Sequence, residues 1–279
     1  SILFPLSLRD SENTPGIEED MPPNLVAATV RQGLFTRIVG RRLLYYPELS
    51  STMDEAAKLG EGDAEEGAVV VAEVQSAGRG RQGRNWVSQP GNLLVSVLFR
   101  PTLDALPFIS IIGGIAAARA VRKITGLEPK IKWPNDLLIG GRKAAGILAE
   151  STIVGDTVWY AVLGVGMNVS LDTGQTEEIS SFATSVNAAA GKEVPREDLL
   201  RQFLMDLDAL YLALGQGKSP IVEWQDLLET TGRRLIATWG DDTFTGVAEG
   251  TDGLGNLLLR QDDGTLLTLT AGDVTLSQQ

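Results

Sequence analysis

Apolar positions recur along this chain with two periods, and the places where the period changes mark out its elements. Runs rich in β-branched residues, or alternating between apolar and polar, predict strands over Arg41–Tyr46, Val69–Val74, Leu93–Phe99, Lys130–Trp133, Leu137–Ile139, Ala145–Glu150 and Val158–Gly166. Pro134 ends the fourth of these, and Gly140-Gly141-Arg142 forms the turn between the next two. A helical period appears at Ser51–Leu59, where Thr52-x-x-Glu55 reads as a capping box. It returns at 108–125 (Phe108, Ile111, Ile112, Ile115, Ala118, Val121), with Gly126 as the stop. Two more helices are expected, one from Pro195 to Leu214 and one opened by Ser219-Pro220 and running through Leu228. Asn24 is expected to cap a short first helix, and the proline-rich, acidic residues 1–23 read as a loose tail. After Gly232 the apolar runs shorten, and Gly240-Asp241, Asp252-Gly253, Asp263-Gly264 and Gly272-Asp273 separate them. That alternation predicts a small all-β unit over 231–279, following a larger unit over 24–230.

Composition removes several chemistries. The chain of 279 residues has no cysteine and no histidine, so disulfides, thiolate nucleophiles and imidazole bases are excluded. Work must fall to Lys, Arg, carboxylates, hydroxyls, backbone amides or a borrowed metal ion. Net charge is −12, spread unevenly: 17 basic and 18 acidic residues up to position 170, against 7 and 18 after it. Such a chain is a poor partner for duplex DNA. The longest uncharged apolar stretch, Ala105–Ala118, is too short to span a membrane, and Ser1–Leu8 lacks the basic start of a signal peptide. A cytoplasmic protein with neither DNA nor membrane as partner is the expectation.

The candidate chemistry lies between the second and third predicted strands. There Arg79, Arg81 and Arg84 alternate with Gly78, Gly80 and Gly83, and Trp86 follows. Glycine lets backbone amides approach a ligand, and arginine offers a permanent charge with a planar donor fork. The loop therefore reads as an anion cradle, with Trp86 placed to cover a flat ring or to anchor the loop. Gly78-x-Gly80-x-x-Gly83 also matches a dinucleotide fingerprint, but that motif opens a helix and a strand is expected here. A solvated surface hairpin is the plainer alternative.

Two further segments bear on that choice: Lys132-Trp133-Pro134-Asn135-Asp136 with Gly141-Arg142-Lys143-Ala144-Ala145-Gly146-Ile147-Leu148, and Gly164-Val165-Gly166-Met167-Asn168-Val169. Taken in order with Gly78–Trp86, they resemble the biotin protein ligases, over roughly Tyr45 to the C-terminus. The resemblance implies an α+β fold: a mixed β-sheet with helices packed on it, like that of class II aminoacyl-tRNA synthetases, plus a C-terminal SH3-like β-barrel. It implies formation of biotinoyl-5′-AMP from biotin and ATP with Mg²⁺, then transfer to a lysine of a biotin carboxyl carrier domain. Neither step needs an enzyme nucleophile. Ser51, Thr52 and Gln75 would meet the ureido ring of biotin, with Met53, Gly78, Arg79 and Gly80 lining its pocket. Met53 stands where many relatives have Asn. Arg81 and Lys143 would be the catalytic pair on the carboxylate and α-phosphate, and Arg79 and Arg84 would meet other phosphate oxygens or order the loop. Trp86, Asn135 and Asn168 would serve the nucleotide, and Asp136 a metal ion directly or through water. Ala183-Thr184-Ser185 resembles a further family segment near the ligand. Many relatives carry an N-terminal winged helix. Fewer than 45 residues precede the resemblance here, so the short form without a repressor role is expected. A homodimer is left open.

The nearest rival is a lipoate–protein ligase, against which the Lys132–Asp136 segment and the β-rich C-terminus count. Related octanoyl transferases use a cysteine, which this chain lacks. A non-catalytic biotin-binding regulator is the rival from another class, and Arg81 and Lys143 count against it.

Overall fold

The computed structural model describes residues 27–62, 64–171, 181–270 and 272–276. The tail at 1–23 and the Asn24 cap lie outside them. The chain enters through a short helix, α1 (Ala27–Arg31). It then builds a seven-stranded sheet from β1 (Leu43–Leu49), β2 (Val69–Gln75), β3 (Leu93–Phe99), β4 (Lys130–Lys132), β5 (Asp136–Ile139), β6 (Arg142–Val154) and β7 (Thr157–Met167). The strand order is β1-β2-β3-β7-β6-β5-β4, and only β1 and β2 run parallel. The sheet is therefore mixed, as expected.

Every residue of β3 is buried, because both of its faces are covered. Val95, Val97 and Phe99 join the main core, while Leu98 points the other way. On the main face lie α3 (Ile109–Thr125) and α5 (Arg196–Gly215). Between them in sequence is the short α4 (Val186–Ala190), and α6 (Ile221–Leu227) follows. The other face is covered by α2 (Thr52–Glu61), whose Met53 and Ala56 pack with Val70, Leu98, Tyr160 and Val162. The glycines of α3 have the expected use: a Cβ at Gly113 would fall 2.8 Å from Leu163 on the sheet, and one at Gly114 would fall 2.9 Å from Trp224 of α6.

Two local expectations are corrected. The cap of α2 is Ser51, whose hydroxyl accepts from the Met53 amide at 3.3 Å. Thr52 is already helical, and Glu55 pairs with Lys58 rather than closing a capping box. The first strand begins at Leu43, leaving Arg41 and Arg42 outside it.

The second sheet is antiparallel and SH3-like: β8 (Arg234–Trp239), β9 (Asp242–Thr251), β10 (Leu257–Gln261), β11 (Leu266–Leu269) and β12 (Asp273–Leu276). Its order is β11-β10-β9-β8-β12, so three of the expected Gly/Asp turns make hairpins and the fourth does not. At Gly272 the chain crosses to the far edge, where β12 pairs with β8. The segment after β4 and helix α6 are tied to the C-terminal unit by hydrogen bonds from Trp133 Nε1 to the Gly255 carbonyl (3.0 Å), Gln225 Nε2 to the Thr251 carbonyl (2.9 Å) and Trp133 N to Thr230 Oγ1 (3.0 Å). Trp133 is thus a buried strut between the two units. No helix among the described residues is long and apolar enough to cross a membrane.

Candidate functional site

One end of the large sheet carries the chemistry. Ala72 pairs with Leu94, Leu93 with Met167, and Met167 with Ala145, so the end of β2, the start of β3, the end of β7 and the start of β6 share an edge. A cavity of about 200 Å³ opens there, walled by the start of α2, the arginine loop, β6, β7 and Phe182-Ala183.

Its neutral polar wall is built on α2 and β2. Gln75 Oε1 accepts from the Thr52 amide at 2.7 Å and from Thr52 Oγ1 at 2.9 Å. Thr52 Oγ1 also lies 2.8 Å from Ser96 Oγ, and the Ser88 hydroxyl holds the Gln75 backbone amide at 2.8 Å. With its oxygen doubly used, Gln75 keeps its NH₂ as the free end of the amide. Ser51 and Thr52 are buried at a helix N-terminus, so this wall suits a neutral ligand that both donates and accepts. Met53 supplies floor instead. Its sulfur would lie 2.7 Å from a Cβ at Gly164, so the thioether fills the space that this glycine leaves.

The charged wall lies on β5, β6 and the loop. Lys143 Nζ is 2.6 Å from Asp136 Oδ1 and 5.5 Å from the centre of the Trp86 ring. The Lys143 backbone is pinned on both sides, its amide to the Phe182 carbonyl (2.8 Å) and its carbonyl to the Thr184 amide (2.9 Å). Arg81 Nη1 donates to the Gly272 carbonyl at 3.0 Å and reaches Asn135 Oδ1 at 3.4 Å. Asn135 is itself fixed by Nδ2 to the Ile147 carbonyl at 2.6 Å. Burial pulls the Arg81 guanidinium below its ordinary pKa, Asp273 opposes that shift, and the group stays charged.

The loop folds on itself. The Gly80 amide donates to the Arg84 carbonyl (2.7 Å), and the Trp86 amide to the Gly78 carbonyl (2.9 Å). Gln82 at φ 55° and Gly83 at φ 71° turn it, and Gln82 is the one non-glycine with positive φ among the described residues. Trp86 then drops its indole onto β6 and β7, where Gly146 and Gly166 face each other. A Cβ at Gly166 would overlap the rigid ring. We expect Gly166→Ala to expel Trp86 and weaken nucleotide binding while leaving α2 and β2 intact; unchanged nucleotide affinity, measured by calorimetry, would contradict this.

Of the residues singled out from sequence, Ser51, Thr52, Met53, Gln75, Arg79, Gly80, Arg81, Arg84, Trp86, Asn135, Asp136, Lys143 and Asn168 all line this cavity. Gly78 does not: it is buried behind Trp86. Arg79 turns its guanidinium to Asp54 (2.6 Å) and Glu150 (3.1 Å), and Arg84 to Asp273 (2.8 Å). Asn168 Nδ2 donates to the Thr184 carbonyl at 3.2 Å. Ala183 joins the wall by a bridge to Lys143. Sequence reasoning gave no role to Ile147, Leu148 and Val165, although all three lie inside the segments that carry the resemblance, and it passed over Val87 and Phe182. The first three are ordinary strand residues, and only their register across β6 and β7 puts them in the cavity.

Comparison with known proteins agrees with this geometry. Residues 45–168 match the Biotin/lipoate A/B protein ligase family, and residues 230–277 match the Biotin protein ligase C terminal domain. The bifunctional ligase/repressor BirA of Bacillus subtilis is 35% identical over 249 residues, covering 87% of this chain and 77% of that protein. A biotin–[acetyl-CoA-carboxylase] ligase of Paracoccus denitrificans is 36% identical over 227 residues, 77% of this chain and 92% of the relative. Among solved structures, a biotin protein ligase from Aquifex aeolicus in complex with biotin and ATP superposes with a TM-score of 0.71 at 27% identity, covering 86% of this chain and all of that one. By sequence and by fold, this chain belongs to the biotin protein ligase family.

Proposed function

We propose that this cavity activates biotin with ATP and then delivers it to a protein lysine. In the first step a biotin carboxylate oxygen attacks the α-phosphorus, and pyrophosphate leaves. In the second the lysine ε-amine attacks the acyl carbon of biotinoyl-5′-AMP, and AMP leaves. The observation that carries this reading is the separation of two walls across one sheet edge. Gln75 ends β2 and Lys143 begins β6, with β3 and β7 between them. Three strand spacings amount to about 14 Å. That gap lets a neutral head sit against Ser51, Thr52 and Gln75 while a carboxylate on an apolar tail reaches Arg81 and Lys143. Arg81 and Lys143 offset the charge that builds at phosphorus, and Trp86 and Asn168 take the nucleoside.

Mg²⁺ enters as part of the MgATP substrate. Among the described residues no group of three His, Cys, Asp or Glu is suited to a metal, and Asp136 is the only carboxylate among those that line the cavity. A single carboxylate beside substrate phosphates fits the habits of Mg²⁺. Asp136 would be the residue to meet it, with Asn135 alongside.

The acceptor is taken to be a biotin carboxyl carrier domain, a reading supported by the acetyl-CoA-carboxylase named in the relative's description. The net charge of −12 supports a protein that works without duplex DNA, and a cytoplasmic location is in keeping with a chain that has no cysteine to oxidise. The division into a catalytic unit at 24–230 and a C-terminal unit at 231–279 is supported by the second sheet, which starts at Arg234.

The test is pyrophosphate–ATP exchange with biotin or lipoate as the sole acid and no carrier present. Exchange with biotin alone is expected. Exchange with lipoate alone would move the chain to the lipoate ligases, and biotin binding without exchange would make it a regulator. Within this reading, Arg81→Gly removes a charge-assisted hydrogen bond of about 1.5–3 kcal/mol. Bound biotinoyl-AMP should then dissociate roughly ten to a hundred times faster, as rapid filtration would show. An unchanged dissociation rate would remove Arg81 from the adenylate.

A further inference from the structure

The arginine loop does not close on its own sheet alone. Its two charged side chains nearest the cavity mouth reach about 190 residues along the chain, to the crossing that leads into β12. Arg81 Nη1 donates to the Gly272 carbonyl at 3.0 Å and lies 3.7 Å from Asp273 Oδ1. Arg84 Nη2 lies 2.8 Å from Asp273 Oδ2. One carboxylate therefore spans both arginines, an oxygen to each. Arg81 is only 19% exposed on its side chain and Arg84 is 61% exposed, so the same carboxylate anchors an inner and an outer cation. Without it, two like charges three residues apart would repel each other.

The backbone fixes Asp273 in place. β12 pairs with β8 in register from Asp273↔Thr238 to Leu276↔Leu235, and a Cβ at Gly272 would run into the Thr238 carbonyl. The edge strand that carries Asp273 is thus held by β8 independently of the loop.

We propose that Asp273 is a positioning residue for the first half-reaction: it holds Arg81 against Asn135 at the cavity mouth, and through it the C-terminal sheet becomes part of the adenylation site. The proposal rests on the adenylating function given above. Asp273 touches no reacting atom in this account; it acts through Arg81, with Arg84 as the second tether. Biotin binding at Ser51, Thr52 and Gln75 does not depend on it.

The test compares Asp273→Asn and Asp273→Glu with the unaltered full chain. Hydrogen exchange of residues 78–86, read by mass spectrometry without any ligand, should rise in Asp273→Asn and return toward normal in Asp273→Glu. In pyrophosphate exchange, Asp273→Asn should raise KM for ATP and the dissociation rate of biotinoyl-AMP by about tenfold. Its biotin affinity and Tm should stay within error of the parent. Loop exchange and KM for ATP both unchanged in Asp273→Asn would overturn the proposal. So would a fall in Tm and biotin affinity that matched the kinetic loss, since that is what a merely structural residue would give. The loop-exchange readout needs no turnover: if the parent exchanged pyrophosphate with neither acid, the adenylating function would fail while the tether was still judged on loop exchange alone.

Discussion

Lys143→Ala should lower the rate of biotin-dependent pyrophosphate exchange at saturating substrates by about 10²–10³-fold, the usual cost of removing one fixed stabiliser of transition-state charge. Two effects act together. The substitution removes the cation from the charged wall, and it frees Asp136, which now sits 2.6 Å from Lys143 Nζ. Asp136 would then meet the Mg²⁺ of the substrate without the neighbouring ammonium that fixes its carboxylate. Biotin affinity should fall far less than turnover, because Ser51, Thr52 and Gln75 form a wall of their own and are held by Ser96 and Ser88 rather than by Lys143. The backbone of the segment should hold as well, since the bonds of residue 143 to Phe182 and Thr184 are main-chain bonds. Steady-state exchange and biotin calorimetry together decide the matter. A higher KM for biotin with turnover intact would reassign Lys143 to ground-state binding.

Much of this was legible in the sequence, and the reasons differ by element. Strands β2 and β3 announce themselves because buried central strands must be apolar on both faces, and Leu93–Phe99 is observed with the bounds expected for it. Helix α3 ends at Gly126 because the chain there adopts φ 77°, which glycine alone takes cheaply. The arginine loop was legible as a cradle only together with Lys132–Asp136 and Gly164–Asn168, since alternating Gly and Arg between two strands also suits a solvated hairpin. The partners of those arginines were not. Arg79 with Glu150, and Arg81 with Gly272, are contacts that sequence spacing does not encode. The fit of Trp86 over Gly146 and Gly166 was hidden for a related reason: the two glycines are opposite each other only because β6 and β7 pair in that register. The cap of α2 was misplaced by one residue because Ser51 and Thr52 are both competent caps. What decides between them is Gln75 on β2, which claims Thr52.

Glu73→Ala should destabilise the fold by about 3–5 kcal/mol, the range for removing one partner of a buried ion pair. Glu73 and Arg196 meet at 2.8 Å with side chains only 7% and 9% exposed, so solvent does little to screen them. Glu73 Oε1 also accepts from the Gly91 amide at 2.8 Å, and Arg196 Nη1 also donates to the Asn92 carbonyl at 3.0 Å. Asn92 Oδ1 in turn holds the Val169 and Ser170 amides at 2.9 and 3.1 Å, next to Asn168. One buried carboxylate thus ties β2, the turn before β3, the start of α5 and the segment after β7. Urea unfolding should therefore show the midpoint falling with an unchanged slope. Glu73→Gln should fall between parent and Ala, since it keeps an acceptor but loses the charge. Tyr45→Phe should sit close to the parent, because its hydroxyl reaches Glu73 only at 3.4 Å and the phenyl ring is retained. If Glu73→Ala cost no more than Tyr45→Phe, the pair would be one whose desolvation cancels its attraction. The frame of the cavity would then owe its rigidity to apolar packing on β3 and α3 alone.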